Sequence, residues 1–347
     1  MTPRDELTLW CREFLPGTAA ITGSPALTPV SGDAGFRVYF RLNSIPALIA
    51  VHAPPEHEDV PSFVEKALFF RSHGLATPEV LAVDYRRGFM LLEDLGDRLL
   101  LPELNADNAE TLYDLAEDTL HRIQQLPRDE RIFPGYDADK LLRELELFPD
   151  WFVGKLLGLP LGSGERQMLE QVFRLLIDNA LEQPQVVVHR DYHSRNLLLK
   201  NAGRLGMVDF QDAVIGPICY DLVSLLRDCY VRWPGDYVYR RAANYYSRCI
   251  NSGLLPQQTG LDQFKQWFDV MGLQRHLKVL GIFARLWLRD GKRQYLRDLP
   301  LVIRYTLEQC AASPAMAEFR EWFLDRLMPA ITTQDWYRHW QSAGDRA

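Results

Sequence analysis

The residues with the clearest capacity for chemistry lie in one polar stretch, HRDYHSRN, at positions 189–196. It contains Asp191 and Asn196, and the second apolar run after it ends at Asp209. Phosphoryl transfer needs a carboxylate that accepts the proton of the acceptor hydroxyl, together with oxygen ligands for Mg²⁺. These three side chains supply that set. Asp and Asn also cap hairpin turns, but the compound spacing of all three favours an active centre.

Short apolar runs must hold these side chains in place. Residues 197–199 are all leucine, residues 206–208 are Gly-Met-Val, and an Asn-Ala-Gly turn at 201–203 separates the two runs. Each run is too short for a helix, so the pattern predicts a β-hairpin. A rigid hairpin would present the polar groups in fixed geometry.

The stretch resembles the catalytic signature of protein-kinase-like enzymes, which implies Asp191 as the general base and Asn196 and Asp209 as Mg²⁺ ligands. Gln211 stands where protein kinases carry Gly, and no Ala-Pro-Glu segment follows. The chain therefore resembles the aminoglycoside phosphotransferase and choline kinase branch. That resemblance implies that Asp221, at the start of the next helix, braces the catalytic loop, with helix N-capping as the alternative.

Within that branch the chain is similar to the bacterial N-acetylmuramate/N-acetylglucosamine anomeric kinases of cell-wall recycling. The segments that carry the likeness are FRVYFR at 36–41, APPE at 53–56, LLEDLG at 91–96, VHRDYH at 188–193 and RHLKVLGIFARL at 275–286. The last segment lies outside the shared kinase machinery, so it is the most informative about the acceptor. The resemblance implies ATP and Mg²⁺ as cofactors and an amino sugar as substrate.

Composition excludes several other classes. The 347 residues are 47% hydrophobic and 24% charged, as in globular proteins, and the net charge of −7 argues against nucleic acid and anionic lipid as partners. We expect no membrane span and no signal peptide, hence a cytoplasmic protein. The five scattered cysteines and eight histidines show no spacing typical of a zinc or redox site.

A glycine-containing turn precedes a strand-like segment in the N-terminal part. Ser31, Gly32 and Gly35 belong to this turn, whose backbone N–H groups could approach phosphates without side-chain clash. A plain hairpin turn is the alternative. Residues 36–42 then alternate strictly between apolar and polar, which predicts a strand with Arg37 and Arg41 on its polar face.

The lysine that protein kinases place on the next strand, against the nucleotide phosphates, is missing. His52 follows Ile-Ala-Val at 49–51, and the chain has no lysine before Lys66. The candidates for neutralising the phosphates are then Arg37, Arg41 and Lys66, the last on a helix predicted over 62–73. Glu65, on the same helix, is the predicted partner of whichever cation faces the phosphates. Exposed strand arginines without such a role are the alternative for Arg37 and Arg41.

We predict an α+β fold of the protein-kinase-like bilobal type, with a small β-rich N-lobe and a larger, mostly helical C-lobe. The predicted bounds are 1–92 for the N-lobe, 93–97 for a hinge and 98–347 for the C-lobe. By resemblance, the hinge backbone at Glu93 and Leu95 binds adenine. Apolar periodicity predicts helices over 109–126, 138–147, 165–181, 219–230, 236–250, 261–289 and 299–328.

The leading hypothesis is an ATP-dependent kinase for the anomeric hydroxyl of N-acetylmuramic acid or N-acetylglucosamine. Lys278 and Arg285 lie seven residues apart on one helix face and are predicted to bind the lactyl carboxylate of N-acetylmuramate. A solvated basic stripe is the alternative for them. Two rival functions remain: a kinase for an aminoglycoside, choline or homoserine, and a catalytically silent nucleotide-binding module.

Overall fold

The computed structural model describes residues 2–30, 36–200 and 203–345. Its contacts divide the chain into two compact units. The first unit comprises residues 1–119 and 195–212, and the second comprises residues 120–194 and 213–347. The division therefore falls inside the polar stretch, between Ser194 and Arg195. The predicted lobe and hinge bounds differ from this division and stay a prediction.

The first unit is built around a five-stranded antiparallel sheet. Its order is β2-β3-β5-β7-β6, where β2 is Leu27–Pro29, β3 is Val38–Leu42, β5 is Leu48–His52, β6 is Val80–Asp84 and β7 is Phe89–Glu93. Helix α1 (Pro3–Glu13) begins with Thr2 and Asp5 in a capping box, and its buried residues share one core cluster with the sheet. The short strands β1 (Ala20–Ile21) and β4 (Ser44–Ile45) pair beside it.

A further helix and a strand pair of this unit also matter for chemistry. Helix α2 covers Val60–Ser72, and Asp59 caps it by accepting the N–H of Ser62. Strands β9 (Leu197–Lys200) and β10 (Arg204–Met207) pair antiparallel, which confirms the predicted hairpin. Helix α3 covers Leu100–Glu103, and α4 covers Ala109–Gln124.

The second unit is mostly helical. Its α-helices are α5 (Ala138–Leu145), α6 (Ser163–Glu182), α7 (Cys219–Leu226), α8 (Gly235–Ser252), α9 (Leu261–Leu288), α10 (Leu299–Ala311), α11 (Ala317–Trp322) and α12 (Met328–Thr332). Two segments are π-helical, Phe148–Leu156 and Phe323–Leu327, and three are 3₁₀-helical, Arg293–Asp298, Pro314–Met316 and Trp340–Ser342. Strands β8 (Gln185–Val188) and β11 (Val214–Pro217) form an antiparallel pair. Eighteen of the 28 residues of α9 are buried, so this helix forms much of the core.

The fold class is the predicted α+β one, with a sheet in the N-terminal part and a mainly helical remainder. One predicted helix, 299–328, is wrong as a continuous element. It breaks after Ala311, because Pro314 cannot continue a helix that precedes it. The calls on Ser31, Gly32 and Gly35 lie outside the described residues. Within the described ranges, no helix has both the length and the apolar character to cross a bilayer.

Candidate active site

The predicted base, Asp191, lies in the second unit just after β8 and is half-buried. Burial acts to raise the pKa of its carboxyl. The electrostatic effects of Lys278, His193, Arg190 and Arg275 outweigh burial and hold the pKa below its ordinary value. Asp191 is therefore ionised at neutral pH, as a general base must be before it accepts a proton.

The backbone before Asp191 is held by a buried carboxylate. Arg190 has φ +77°, a left-handed conformation that a residue with a side chain adopts at a cost. Asp221 accepts the N–H of His189 at 2.6 Å and the N–H of Arg190 at 3.0 Å. Burial raises the pKa of Asp221 to about 7, against these two donors and Arg275. Asp221 lies in the first turn of α7 and binds loop amides, so the bracing contact is present and N-capping is not its role.

A buried ion network lies beside Asp191 in the same unit. Glu144, on α5, accepts hydrogen bonds from the Arg190 guanidinium and the Tyr136 hydroxyl, and Lys278 Nζ lies 3.0 Å from its carboxylate. Lys278 also donates to the Tyr220 hydroxyl at 2.9 Å. Burial acts to raise the pKa of Glu144, but Lys278 and Arg190 lower it below the ordinary range. The network thus places a cation next to the base.

The two cations predicted to bind the acceptor therefore differ in their surroundings. Lys278 is buried and ion-paired with Glu144, so the alternative of a solvated stripe does not describe it. Arg285 is half-buried and forms no ion pair with any described residue, and its buried Nε has no hydrogen-bond partner. Burial, followed by the nearby charge of Arg289, lowers the pKa of Arg285. A guanidinium in this situation favours an incoming anion.

The predicted metal ligands belong to the first unit. Asn196 is buried, and its carbonyl accepts the N–H of Val208 at 3.0 Å. Asp209 has φ +62°, again left-handed, and its Oδ1 accepts a hydrogen bond from Gln211 Nε2 at 2.5 Å. Phe210 is fully buried. Because Phe210 lies between Asp209 and Gln211 in the sequence, its burial anchors the segment that carries Asp209.

The cations predicted to face the phosphates are also in the first unit. Arg37 is buried and ion-paired with Glu58 at 2.6 Å. Arg41 binds Asp94 at 2.5 Å and Asp97 at 2.7 Å. Glu65 is exposed on α2 and makes no ion pair with the residues that the structure describes, so it is not placed as the partner of either arginine.

The predicted hinge residues are tied down by contacts other than those expected from sequence. The carboxylate of Glu93 pairs with Lys200 at 2.8 Å and with Arg71 at 2.9 Å. These pairs lower its pKa against the effect of burial. Leu95 packs so close to Gly206 that a Cβ on this glycine would lie 3.1 Å from a Leu95 methyl carbon. Their proposed contact with adenine concerns the backbone and stays a prediction.

Sequence reasoning missed the residues that set the charge around Asp191. The sequence pattern does not single out Glu144, and Arg275 enters only through the segment 275–286. The available signal was in α9, where Arg275 and Lys278 interrupt a long apolar run three residues apart. Buried cations on one helix face require an anion nearby. That signal does not name the partner, because α5 is more than a hundred residues away in sequence.

The donor sets fit a nucleotide with Mg²⁺. An amide and a carboxylate oxygen, Asn196 and Asp209, are hard ligands of the type that Mg²⁺ accepts, and it takes its remaining ligands from phosphates and water. Within the described ranges, no group of three or more His, Cys, Asp and Glu side chains could hold a metal unaided.

Comparisons with known proteins identify the family that the chain resembles. The model of the phosphotransferase enzyme family matches residues 26–257. The N-acetylmuramate/N-acetylglucosamine kinase of Pseudomonas putida is 40% identical over 322 residues, which cover 91% of this chain and 94% of the relative. The kinase of the same name from Pseudomonas aeruginosa has the same identity and coverage.

A solved structure shares the fold at much lower identity. The choline kinase from Cryptosporidium parvum superimposes with a TM-score of 0.61 at 12% identity, over 93% of this chain and 100% of that one. The family match covers most of the chain, and the resemblance noted in the sequence is confirmed. The chain belongs to the phosphotransferase enzyme family and is a kinase that uses a nucleotide.

Proposed function

We propose that this kinase transfers the γ-phosphoryl group of ATP to the anomeric hydroxyl of N-acetylmuramic acid and N-acetylglucosamine, as part of peptidoglycan recycling. The observation that carries the proposal is Asp191, a carboxylate kept ionised by four positively charged or protonatable neighbours on a loop braced by Asp221. The curated relatives at 40% identity bear the names of kinases for these two sugars. An anomeric hydroxyl is more acidic than an ordinary alcohol, so a carboxylate base suits it.

The chain's own residues divide the work of the reaction. Asp191 accepts the hydroxyl proton while the sugar oxygen forms a bond to the γ-phosphorus, and the bond from that phosphorus to the bridging oxygen of ADP breaks. Asn196 and Asp209 would hold Mg²⁺, which would neutralise charge on the phosphates. Asp221 keeps the backbone at Arg190 in its left-handed conformation, so that the Asp191 carboxylate is positioned before the acceptor binds.

Arg285 is the proposed selector for N-acetylmuramate. Its guanidinium is half-buried and has no ion-pair partner among the described residues, while a buried Nε stands without a hydrogen bond. The lactyl carboxylate, which N-acetylglucosamine lacks, would satisfy it with a charge-assisted hydrogen bond. Lys278 is also proposed to bind the acceptor. Because Lys278 is paired with Glu144 and lowers the pKa of Asp191, it would affect the base as well as the acceptor.

We place the enzyme in the cytoplasm, with small molecules rather than nucleic acid as partners. ATP is the donor in this proposal, and the net charge of −7 disfavours a polyanionic partner. We also propose the bilobal division with a hinge at 93–97, in which the backbone of Glu93 and Leu95 binds adenine.

An acceptor screen tests the function. Purified protein is assayed for ADP release from Mg-ATP with N-acetylmuramate, N-acetylglucosamine, choline, homoserine and kanamycin as acceptors. Asp191→Asn provides the inactive control, so that background ATP hydrolysis can be subtracted. We expect acceptor-dependent ADP release with the two amino sugars. Turnover with choline, homoserine or kanamycin but not with an amino sugar would overturn the proposal, as would no turnover with any acceptor.

A further inference from the structure

We infer that Lys66, on helix α2, supplies the cation that binds the nucleotide phosphates, in place of the strand lysine that this chain lacks. The inference rests on the proposed use of ATP. It assigns a phosphate contact to a helix residue. Its support comes from the first unit, where the sequence left three cations as alternatives.

Two of those alternatives are already neutralised. Arg37 forms a salt bridge with Glu58 and is largely buried, and its guanidinium also lies 5.1 Å from the centre of the Phe63 ring. Arg41 is held by two carboxylates, Asp94 and Asp97. Moving either arginine to a phosphate would break an existing ion pair, so the gain in charge neutralisation would be smaller.

Lys66 lies close to the segment that carries Asp209. Its side chain is only 4% exposed, although it belongs to a helix at the surface of its unit. Its Nζ donates to the carbonyl of Gln211 at 2.5 Å, and Gln211 Nε2 in turn donates to Asp209 Oδ1 at 2.5 Å. Gln211 therefore contacts the ammonium through its backbone carbonyl and the carboxylate proposed as a Mg²⁺ ligand through its side-chain amide. The ammonium is therefore held beside the segment that would carry the metal, close to where metal-bound phosphates would be expected.

The packing of α2 keeps Lys66 at this position. Phe63, Lys66 and Phe70 are spaced by three and four residues and share one face of the helix. The Phe63 and Phe70 rings lie 5.0 Å and 5.8 Å from the Phe210 ring, in the residue next to Asp209. The same aromatic contacts that fix α2 against the Asp209 segment therefore fix the starting point of the lysine side chain.

An ammonium is a compact charge on a long stem, so the helix can deliver it to the place that a strand lysine would reach from the sheet. Phosphate oxygens would accept charge-assisted hydrogen bonds from it. His52, at the strand position, is then free of any phosphate role.

Nucleotide titrations without acceptor test this inference. Calorimetric affinities for Mg-ATP, Mg-ADP and adenosine are compared for the wild type, Lys66→Met, Lys66→Arg and Arg41→Met. Lys265→Met, far along the chain on α9, serves as the matched lysine-to-methionine control. We expect Lys66→Met to weaken Mg-ATP and Mg-ADP at least about tenfold while adenosine affinity is kept, and Lys66→Arg to recover part of the loss.

Three results would overturn the inference. Unchanged Mg-ATP affinity in Lys66→Met is one, and an equal loss for adenosine, which would show a purely structural role, is another. A phosphate-selective loss in Arg41→Met but not in Lys66→Met is the third, because it would return the role to Arg41. The titrations contain no sugar, so a failure of the proposed acceptor chemistry in the wild type would leave their outcome unaffected.

Discussion

At the scale of single residues, the chemistry depends on how Asp191 is kept ionised. Burial alone would raise the pKa of this carboxyl and would lower the fraction that is ionised at neutral pH. Lys278 is the first of the cations that reverse the effect, and Glu144 holds Lys278 and Arg190 at their positions. The proposed base therefore depends indirectly on Glu144, which holds two of the cations that lower its pKa.

Replacing the base by its amide tests its role directly. Asp191→Asn should lower kcat for both amino sugars by about 10² to 10⁴, since a positioned general base typically contributes that much. The affinity for Mg-ATP should stay close to that of the wild type, because Asn196 and Asp209 are intact. Steady-state kinetics and a nucleotide titration measure the two quantities. A kcat above about a tenth of the wild-type value would show that another group accepts the proton.

Substitutions of Arg285 and Lys278, the two cations proposed to bind the acceptor, should affect the kinetics differently. Arg285→Ala should lower kcat/KM for N-acetylmuramate at least about tenfold more than for N-acetylglucosamine, because only the former carries a carboxylate. Lys278→Met should lower kcat/KM for both sugars, since it also removes the cation paired with Glu144 near Asp191. The measurement is kcat/KM of each variant on both sugars. Equal losses on the two sugars in Arg285→Ala would place Arg285 in structure and not in acceptor choice.

Sequence alone could identify the residues with fixed local spacing. Asp191, Asn196 and Asp209 lie within twenty residues of one another, so a single motif carries all three. Glu144 could not be found this way, because its partner Lys278 is distant in the chain and an acidic residue on a helix is usually solvated. The same limit applies to Lys66, whose contact with Gln211 depends on how α2 packs.

At the scale of elements, periodicity located most helices, while short or irregular segments escaped it. Strand β11 contains Gly216 and Pro217, which are typical of turns, yet it pairs with β8. Tyr136 packs against Gly216, and a Cβ at this position would lie 3.2 Å from the Tyr136 ring, so a larger residue would require the ring to shift. The π-helical segment Phe148–Leu156 contains Pro149 and Gly154, which are typical of turns and loops.

A buried histidine joins three helices and should make stability depend on pH. The ring nitrogens of His276, on α9, lie 3.0 Å from Gln309 Oε1 on α10 and 3.1 Å from the carbonyl oxygen of Arg227 after α7. Burial lowers the pKa of His276 to about 4, and the charges of Arg275 and Arg227 act in the same direction. The unfolded chain, with an ordinary histidine pKa, therefore binds this proton more readily than the native chain.

The sign of the effect follows from that difference. The contribution is fully present above the unfolded pKa of about 6.5 and is lost as pH falls toward about 4. Between about pH 7.5 and about pH 5, His276 should account for a loss of about 2 kcal/mol in the free energy of unfolding. Urea titrations at both values, on wild type and His276→Gln, measure it. The variant should lose less on acidification, and an identical loss in both proteins would refute the assignment.

At the scale of the whole molecule, the sequence established the class more firmly than the acceptor. The sheet of the first unit and the helices of the second were foreseeable, because long periodic segments and alternating strands report burial locally. The division of the chain was not: residues 195–212, with Asn196 and Asp209, join the N-terminal unit, although Asp191 belongs to the other. Contacts between segments distant in sequence decide that division.

The charge pattern of the second unit also bears on the rival acceptors. Cationic substrates such as choline or an aminoglycoside would require unpaired carboxylates, yet Glu144 is committed to Lys278 and Arg190. Asp137 accepts the N–H of Lys140 as the N-cap of α5. The cations Lys278, Arg275 and Arg285 on α9 suit an anionic or neutral acceptor better.

The position of the phosphate on the product tests the central proposal most directly. N-acetylglucosamine is phosphorylated with Mg-ATP, the product is isolated, and its stability in mild acid is followed by release of inorganic phosphate. A 6-phosphate standard, made chemically, is treated in parallel. We expect a glycosyl 1-phosphate, which loses its phosphate in mild acid and restores a reducing sugar. An acid-stable product that behaves like the 6-phosphate standard would contradict it.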